Sequence, residues 1–315
     1  MGVNPTIWSV GFAEIAKSKE NVAVLTADLE RYSGLERTFR NYPDRCFNLG
    51  IAEENMVGIA AGMAMEGIQP FMTTYAPFMA FRCADHIRHF MGNLQLNMKA
   101  IGSAAGLTAG LSGLSLLALG DIAFYRSLPG VTVLSPADCA EALKMMLAMS
   151  ETEQPTYMRF CGTNNIPVVY QEDYTFEIGK AIVLRKGEKV AVVATGTTIV
   201  SEALDAAEQV HEVTGIDVTV VNMHTISPLD TDTLAQLAET HEHILTVEEH
   251  FVNGGLGSAV AEYLASNRSR VDLCRMGVNG IDLKMGSRRY MLAQCGLNVE
   301  GITKRIQGLM EDRDE

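Results

Sequence analysis

The sequence predicts two α/β domains, each built on a parallel β-sheet. Short runs rich in β-branched residues alternate with longer helical patterns along the chain, the mark of successive β-α-β units. The 315 residues suffice for two domains of ordinary size. A stretch near the middle, residues 162–178, carries Pro167 and polar residues without periodicity, which puts a boundary near residue 170. On this reading one domain spans residues 1–168, a linker 169–182 and a second domain 183–315.

In the first half the strand candidates are NVAVLTAD (21–28), CFNLG (46–50), IQPFMTTY (68–75), MKAIG (98–102) and VTVLS (131–135). Helices fill the gaps. Residues 53–65 are good helix formers, and residues 77–91 follow a strand. Ser135, Pro136 and Asp138 read as N-cap, first-turn proline and acidic first-turn residue of a helix running to about residue 149. In the second half KVAVVAT (189–195), DVTVVNM (217–223), HILTVEE (243–249) and VDLCRM (271–276) are the strands. Helices are expected between them at about 199–213, 231–240 and 256–265, with an amphipathic one after Asn298. No internal repeat or low-complexity tract interrupts either half.

Composition narrows the function class. With 47% apolar and 20% charged residues the chain has a globular balance, which excludes disordered and fibrous classes. A chain of this length buries roughly three quarters of its unfolded surface, so neither metal nor disulfide is needed to hold a core. Its six cysteines are scattered without a CxxC pair and no signal peptide is legible, which predicts reduced thiols and a cytoplasmic protein. The net charge of −13, without a Lys/Arg cluster, argues against a nucleic-acid partner. Residues 100–120 are uncharged, and Gly102, Gly106 and Gly110 have the small-xxx-small spacing of packed membrane helices. Five glycines and three serines oppose that reading, and neither an aromatic belt nor a basic flank is present. No membrane partner is expected. The segment reads instead as a buried strand near 98–102 followed by a Gly-rich loop whose backbone approaches something closely.

Open parallel sheets bind ligands beyond the carboxyl ends of their strands. In the first half those ends carry Asp28, GIAEEN, an aromatic run and the Gly-rich loop. Glu53 stands out, because it follows a short strand and a glycine and opens an almost wholly apolar helix. Two readings are open: an acid that meets the helix macrodipole at an exposed end, as Glu54 also could, or a functional carboxyl. Tyr75, Phe78 and Phe81 lie together, the last two at helical i, i+3 spacing and so on one face. Their rings either pack the core or stack on a flat heterocycle. His86 and His89 lack further ligands and read as a solvated helix face. In LTVEEHFVNGGLG two acids and His250 sit at a strand end, and Gly254, Gly255 and Gly257 read as a tight turn. Their spacing departs from G-x-G-x-x-G, although an anion site at the following helix start is the alternative.

Taken in order, TAD, FNLGIAEENMVGIAAG, Tyr75 with Phe78, SLPGVTVLSPAD, ISPLD and TVEEHFVNGGLGSAVAE resemble the C-terminal half of thiamine-diphosphate-dependent transketolases. The resemblance is strongest to the separately encoded C-terminal subunit of a split transketolase and runs from about residue 5 to residue 310. It implies a pyrimidine-binding domain followed by a transketolase C-terminal domain. It also implies that Glu53 hydrogen-bonds N1′ of the cofactor's aminopyrimidine. There a buried carboxyl group favours the imino tautomer, whose exocyclic nitrogen removes the C2 proton of the thiazolium. Phe78 is implied to stack on the pyrimidine, with Phe81, Tyr75, Arg82 and Ile51 as its neighbours. The family's other cofactor motif, GDG followed by an Asn pair, holds magnesium and the diphosphate; this chain offers only Gly120-Asp121-Ile122. The resemblance therefore implies an incomplete enzyme. Its partner would be an N-terminal subunit carrying the GDG motif and the Mg2+ ligands, with the active site at the interface of an α2β2 assembly.

The Gly-rich loop departs from the family. Where relatives read close to SHAGLTVGEDGPSHQALEDIA, this chain reads SAAGLTAGLSGLSLLALGDIA. The family's two loop histidines fall on Ala104 and Leu116, its aspartate on Ser112, its glutamine on Leu117 and the acid before Asp121 on Gly120. The arginine that grips sugar phosphates falls on Gly162, with Arg159 nearby. Ala104, Ser112, Leu116 and Asp28 are the expected substrate-pocket positions. Each sugar hydroxyl left unpaired in such a pocket would cost about 1 to 3 kcal/mol. The expectation is a diverged enzyme of carbohydrate metabolism that transfers a two-carbon ketol or related acyl carbanion unit with an atypical, less polar or non-phosphorylated substrate. Two alternatives stand beside it. A β subunit of a 2-oxoacid dehydrogenase E1 component has similar length and domain order, but usually supplies a histidine where Leu116 stands. A non-catalytic regulatory subunit is the other. Deoxyxylulose-phosphate synthase is a third relative in kind, but a single long chain.

Overall fold

The computed structural model describes residues 6–162, 166–280 and 282–311. The outermost parts of the expected domains, 1–5 and 312–315, and residues 163–165 of the expected boundary stretch lie outside the described residues. The first six strands are β1 (Val22–Thr26), β2 (Cys46–Asn48), β3 (Gln69–Tyr75), β4 (Lys99–Ala105), β5 (Thr132–Leu134) and β6 (Thr156–Cys161). The next six are β7 (Ile182–Arg185), β8 (Val190–Thr195), β9 (Thr219–Asn222), β10 (Thr225–Ser227), β11 (His243–Phe251) and β12 (Asp272–Val278). They form a seven-stranded sheet in the order β10-β5-β6-β4-β3-β1-β2 and a five-stranded sheet in the order β12-β11-β8-β9-β7.

The inner strands of both sheets are buried on two faces, which is why they read as continuous apolar runs. In β1, Ala23 and Leu25 meet Met56, Val57 and Ala60 of the helix Glu53–Met65. Val22 and Val24, pointing the other way, meet Trp8 and Phe12 of the helix Thr6–Ser18 and Met145 of the helix Cys139–Glu151. The second sheet repeats the pattern: Val190 and Val192 pack under the helix Ile199–Thr214, while Ala191 and Val193 face Leu234, Leu237 and Leu256. No described helix is long and apolar enough to cross a membrane.

Both sheets are built mainly of parallel strands, as expected, and each adds one antiparallel strand at an edge. The strand β7 runs antiparallel to β9, and β10 runs antiparallel to β5, with Thr225 opposite Leu134. Parallel neighbours need a crossover of about a dozen residues, whereas β10 follows β9 after only Met223 and His224. The chain therefore leaves the second sheet and finishes the first.

Two helices differ from their expected form. Ser135 does not cap the helix after β5: that helix begins at Cys139, and the Ser135 N–H donates to the His224 carbonyl at 2.8 Å. Asp138 is the N-cap instead, accepting from the Glu141 N–H at 2.8 Å. Residues 77–91 are not one α-helix: π-helical turns at Phe78–Arg82 and Arg88–Asn93 flank a short α-turn, Ala84–Ile87. The Cys83 N–H bonds the Phe78 carbonyl at 3.2 Å, five residues back. Such spacing shifts alignment from i+3 to i+4 and beyond, so Phe78 lines up with Arg82 rather than with Phe81.

Candidate active site at the carboxyl ends of the first sheet

The parallel register gathers the sequence-predicted residues at one end of the first sheet. Thr26 pairs with both Asn48 and Thr73, and Tyr75 pairs with Ser103. Asp28, Glu53, Tyr75 and Ala104 thus all follow or end neighbouring strands. The Asn48 side chain accepts from the N–H groups of Asp28 and Gly50, each at 3.1 Å. That clamp holds the turn in which Gly50 takes φ +73°, a conformation glycine adopts freely. The turn delivers Glu53 as the first residue of its helix, 3% exposed, while Glu54 beside it is exposed. An acid that merely greets a helix dipole sits in water, as Glu54 does; Glu53 is folded inward.

Arg82 Nη1 donates to Glu53 Oε1 at 2.8 Å, and the guanidinium carbon lies 4.0 Å from the centroid of the Phe78 ring. The Arg82 side chain is 45% exposed. Tyr75 and Phe78 are tilted neighbours, 6.0 Å between centroids. Burial, with Tyr32 nearby, pushes the Tyr75 phenol up. Burial and the Glu53 and Glu54 carboxyls push the Cys83 thiol up to about 12, which makes it inert. Phe81 is 49% exposed and faces Gly120, where an added Cβ would lie 3.3 Å from the ring. Ile51 is 78% exposed, and Asp28 is exposed with φ +58°. The structure thus brings Glu53, Arg82, Phe78 and Tyr75 together, and leaves Phe81, Ile51 and Asp28 on the open rim.

The strand β4 continues beyond the expected end at Gly102, and the loop after it winds through short 3-10 turns at Gly110–Ser112 and Leu114–Leu116. Ala104 is half-buried with φ +50°, Leu116 is half-buried, Ser112 is exposed and Leu111 is 83% exposed. The close approach expected of this loop is to an acid of the second domain. At Gly106, φ +64°, an added Cβ would stand 2.5 Å from Glu249 Oε1. That carboxylate accepts the Leu107 N–H at 2.7 Å and is gripped by Arg288, Nη2 to Oε2 at 2.5 Å. Arg288 also donates to the Thr197 carbonyl at 2.8 Å and to Thr198 Oγ1 at 2.9 Å.

The rest of the VEEH segment has structural work. Glu248 accepts the N–H groups of Leu256 and Gly257, each at 2.7 Å, so the chain's own carboxylate takes the donors at the helix start that an anion would use. Buried His250, its basicity lowered by burial, bonds the Phe251 carbonyl at 2.7 Å. Arg159 is fully buried and engages Asp121 at 2.9 and 3.2 Å, while Tyr157 Oη donates to the same carboxylate at 2.7 Å. Its guanidinium also reaches the carbonyls of Ala118 and Glu249. It therefore does not stand free to replace a phosphate-gripping arginine at Gly162. Sequence reasoning missed the Arg82–Glu53 contact and Arg288 altogether, because each pair is distant in sequence and no periodicity links them. Among the described residues no group of three or more His, Cys, Asp or Glu side chains is arranged to hold a metal ion.

The fold and site define a two-domain α/β chain whose first domain offers a buried carboxyl and an aromatic face at its strand ends, with a loop pinned by the second domain. The chain belongs to the transketolase family. Residues 7–165 match the pyrimidine-binding domain of transketolase and residues 179–302 match the transketolase C-terminal domain. A putative transketolase C-terminal section of Methanocaldococcus jannaschii is 36% identical over 95% of this chain and 93% of its own length. A 6-deoxy-6-sulfo-D-fructose transketolase subunit of a Clostridium species is 33% identical over 96% of this chain and 92% of its own. A solved structure described as a split-gene transketolase, an inactive β4 tetramer, superposes with a TM-score of 0.87 at 33% identity, covering 98% of each chain.

Proposed function

We propose that this chain is the C-terminal, pyrimidine-binding subunit of a two-subunit thiamine-diphosphate enzyme. That enzyme transfers a two-carbon ketol or related acyl carbanion unit with an atypical, less polar or non-phosphorylated substrate. The observation that carries the reading is Glu53: its buried carboxyl is met by a flat nitrogenous cation lying on the Phe78 ring. A site that holds a guanidinium in this way offers an aromatic face with a carboxyl in hydrogen-bond reach, the two features that an aminopyrimidine, also flat and also presenting ring and amino nitrogens, would engage. The cofactor fits the residues present. When bound it supplies a carbon nucleophile able to carry an acyl carbanion equivalent.

Glu53 would hold and return the proton at the pyrimidine nitrogen, Phe78 would orient the ring, and Tyr75 would close its edge. Ala104 and Leu116 offer no side-chain proton donor or acceptor, and Ser112 offers only a hydroxyl. With Arg159 tied to Asp121, these described loop positions offer little of the polar set a phosphosugar demands. The sulfo-sugar in the name of the Clostridium relative supports a substrate without the usual phosphate. The diphosphate and Mg2+ are assigned to a partner subunit with a GDG domain, in an α2β2 assembly. The split-gene names among the relatives support that division, and the inactive β4 neighbour supports self-association of such chains without the partner.

Steady-state assays of the two-subunit assembly test the proposal. Glu53→Gln should abolish most turnover, because the proton relay is removed. Efficient exchange between xylulose 5-phosphate and ribose 5-phosphate would overturn the substrate assignment. Carbon dioxide release from 2-oxo acids would move the chain to the E1 β class. Full activity of the Glu53→Gln assembly would make it a non-catalytic subunit.

A further inference from the structure

Among the described residues, the hydrogen bond that reaches the Glu53 carboxyl comes from Arg82, at 2.8 Å. The same guanidinium rests 4.0 Å from the Phe78 ring centroid. The π-helical turn Phe78–Arg82 makes both contacts simultaneous by aligning residue 82 with residue 78. A guanidinium is a planar, delocalised cation with in-plane N–H donors, so it can stack on a ring and donate to a carboxylate at once. One face on Phe78 and one nitrogen on Glu53 are also the two contacts proposed above for the aminopyrimidine. The face of Phe78 that Arg82 covers cannot hold a pyrimidine at the same time, because a group packed at van der Waals distance excludes a second one from that face.

We infer that Arg82 is a placeholder for the cofactor: it occupies the aminopyrimidine's seat in the chain without cofactor and swings out when the cofactor enters. The inference rests on the cofactor assignment proposed above. Two features suit the arginine to leaving. Its side chain is nearly half in solvent, so the outward position costs little burial. Its departure is coupled to arrival of another hydrogen-bonding nitrogen, so Glu53 is not left buried and unpaired. Cofactor binding is then a competition, and the measured dissociation constant is the intrinsic one divided by the fraction of sites with Arg82 already out.

The test is isothermal titration of thiamine diphosphate, with Mg2+, into the assembly with its diphosphate-binding partner. Arg82→Met should bind about tenfold more tightly than wild type, as expected when one cation–π contact and one half-exposed ion pair no longer compete. Arg82→Lys, which keeps the charge but not the planar stack, should fall between the two. In an Arg82→Ala assembly, added methylguanidinium should weaken cofactor binding, and it should have no such effect on wild type. If Arg82→Met binds the cofactor equally or more weakly, Arg82 is a fixed part of the loaded site and the placeholder is overturned while the cofactor assignment stands. If neither wild type nor Arg82→Met binds thiamine diphosphate, the cofactor assignment fails and the placeholder fails with it.

Discussion

The Glu249 carboxylate accepts the backbone N–H of Leu107 at 2.7 Å while Arg288 holds it from the other side. The loop that carries Ser112 and Leu116 is therefore hung on an acid of the other domain. Glu249→Ala should destabilise the chain by about 3 kcal/mol, because it strands a largely buried arginine and frees a buried N–H. Glu249→Gln, which can keep the Leu107 bond through its amide oxygen, should cost less. Urea unfolding gives both numbers, and amide exchange at Leu107 should speed up in the alanine variant.

Glu141 gives the domain junction a pH dependence. Burial pushes its carboxyl from 4.5 up to about 7, against hydrogen bonds from the Ala137 N–H and the side chains of Asn222, Tyr170 and Tyr174. The folded chain then holds a proton that the unfolded chain has already released between pH 4.5 and about 7. Its contribution is fully present below pH 4.5 and is lost as pH rises to about 7, with a slope on the order of 1 kcal/mol per pH unit in that window. Glu141→Gln should flatten that slope. Urea midpoints from pH 5 to pH 8 for both proteins check it.

Arg159 separates a structural arginine from a substrate clamp. Arg159→Met leaves Asp121 buried without its partner and should destabilise by about 3 to 5 kcal/mol. The double variant Arg159→Met with Asp121→Leu should recover much of that loss, since a buried pair replaced by apolar groups is often close to neutral. A rise in KM for an anionic substrate, without a stability loss, would instead mark Arg159 as a clamp.

The sequence was most readable where burial on both faces wrote long apolar runs. The helix Thr231–Thr240 begins and ends as expected, and β8 and β11 lie where KVAVVAT and HILTVEE put them. Strand β6 was not readable, because TYMRFC carries an arginine that only its tertiary partner Asp121 makes burial-compatible. The three-residue β10 is too short for a periodic signal and gains its place from β5. The π-helical turns leave no mark in spacing either: Phe78 and Phe81 look like one helix face until the wider turn separates them. At the site, Glu53 and Glu54 are the same residue type side by side, and the turn held by Asn48 and Gly50 sets the start of the helix that carries one of them inside.

Because β10 is contributed by the second half yet completes the first sheet, the polypeptide is laced across its own domain boundary. Severing the chain near residue 170 would not release two self-sufficient pieces. The sheet of the amino-terminal fragment would have β5 as a raw edge, with unsatisfied main-chain groups open to edge-to-edge aggregation. The carboxyl-terminal fragment would carry a short ribbon with nothing to pair to.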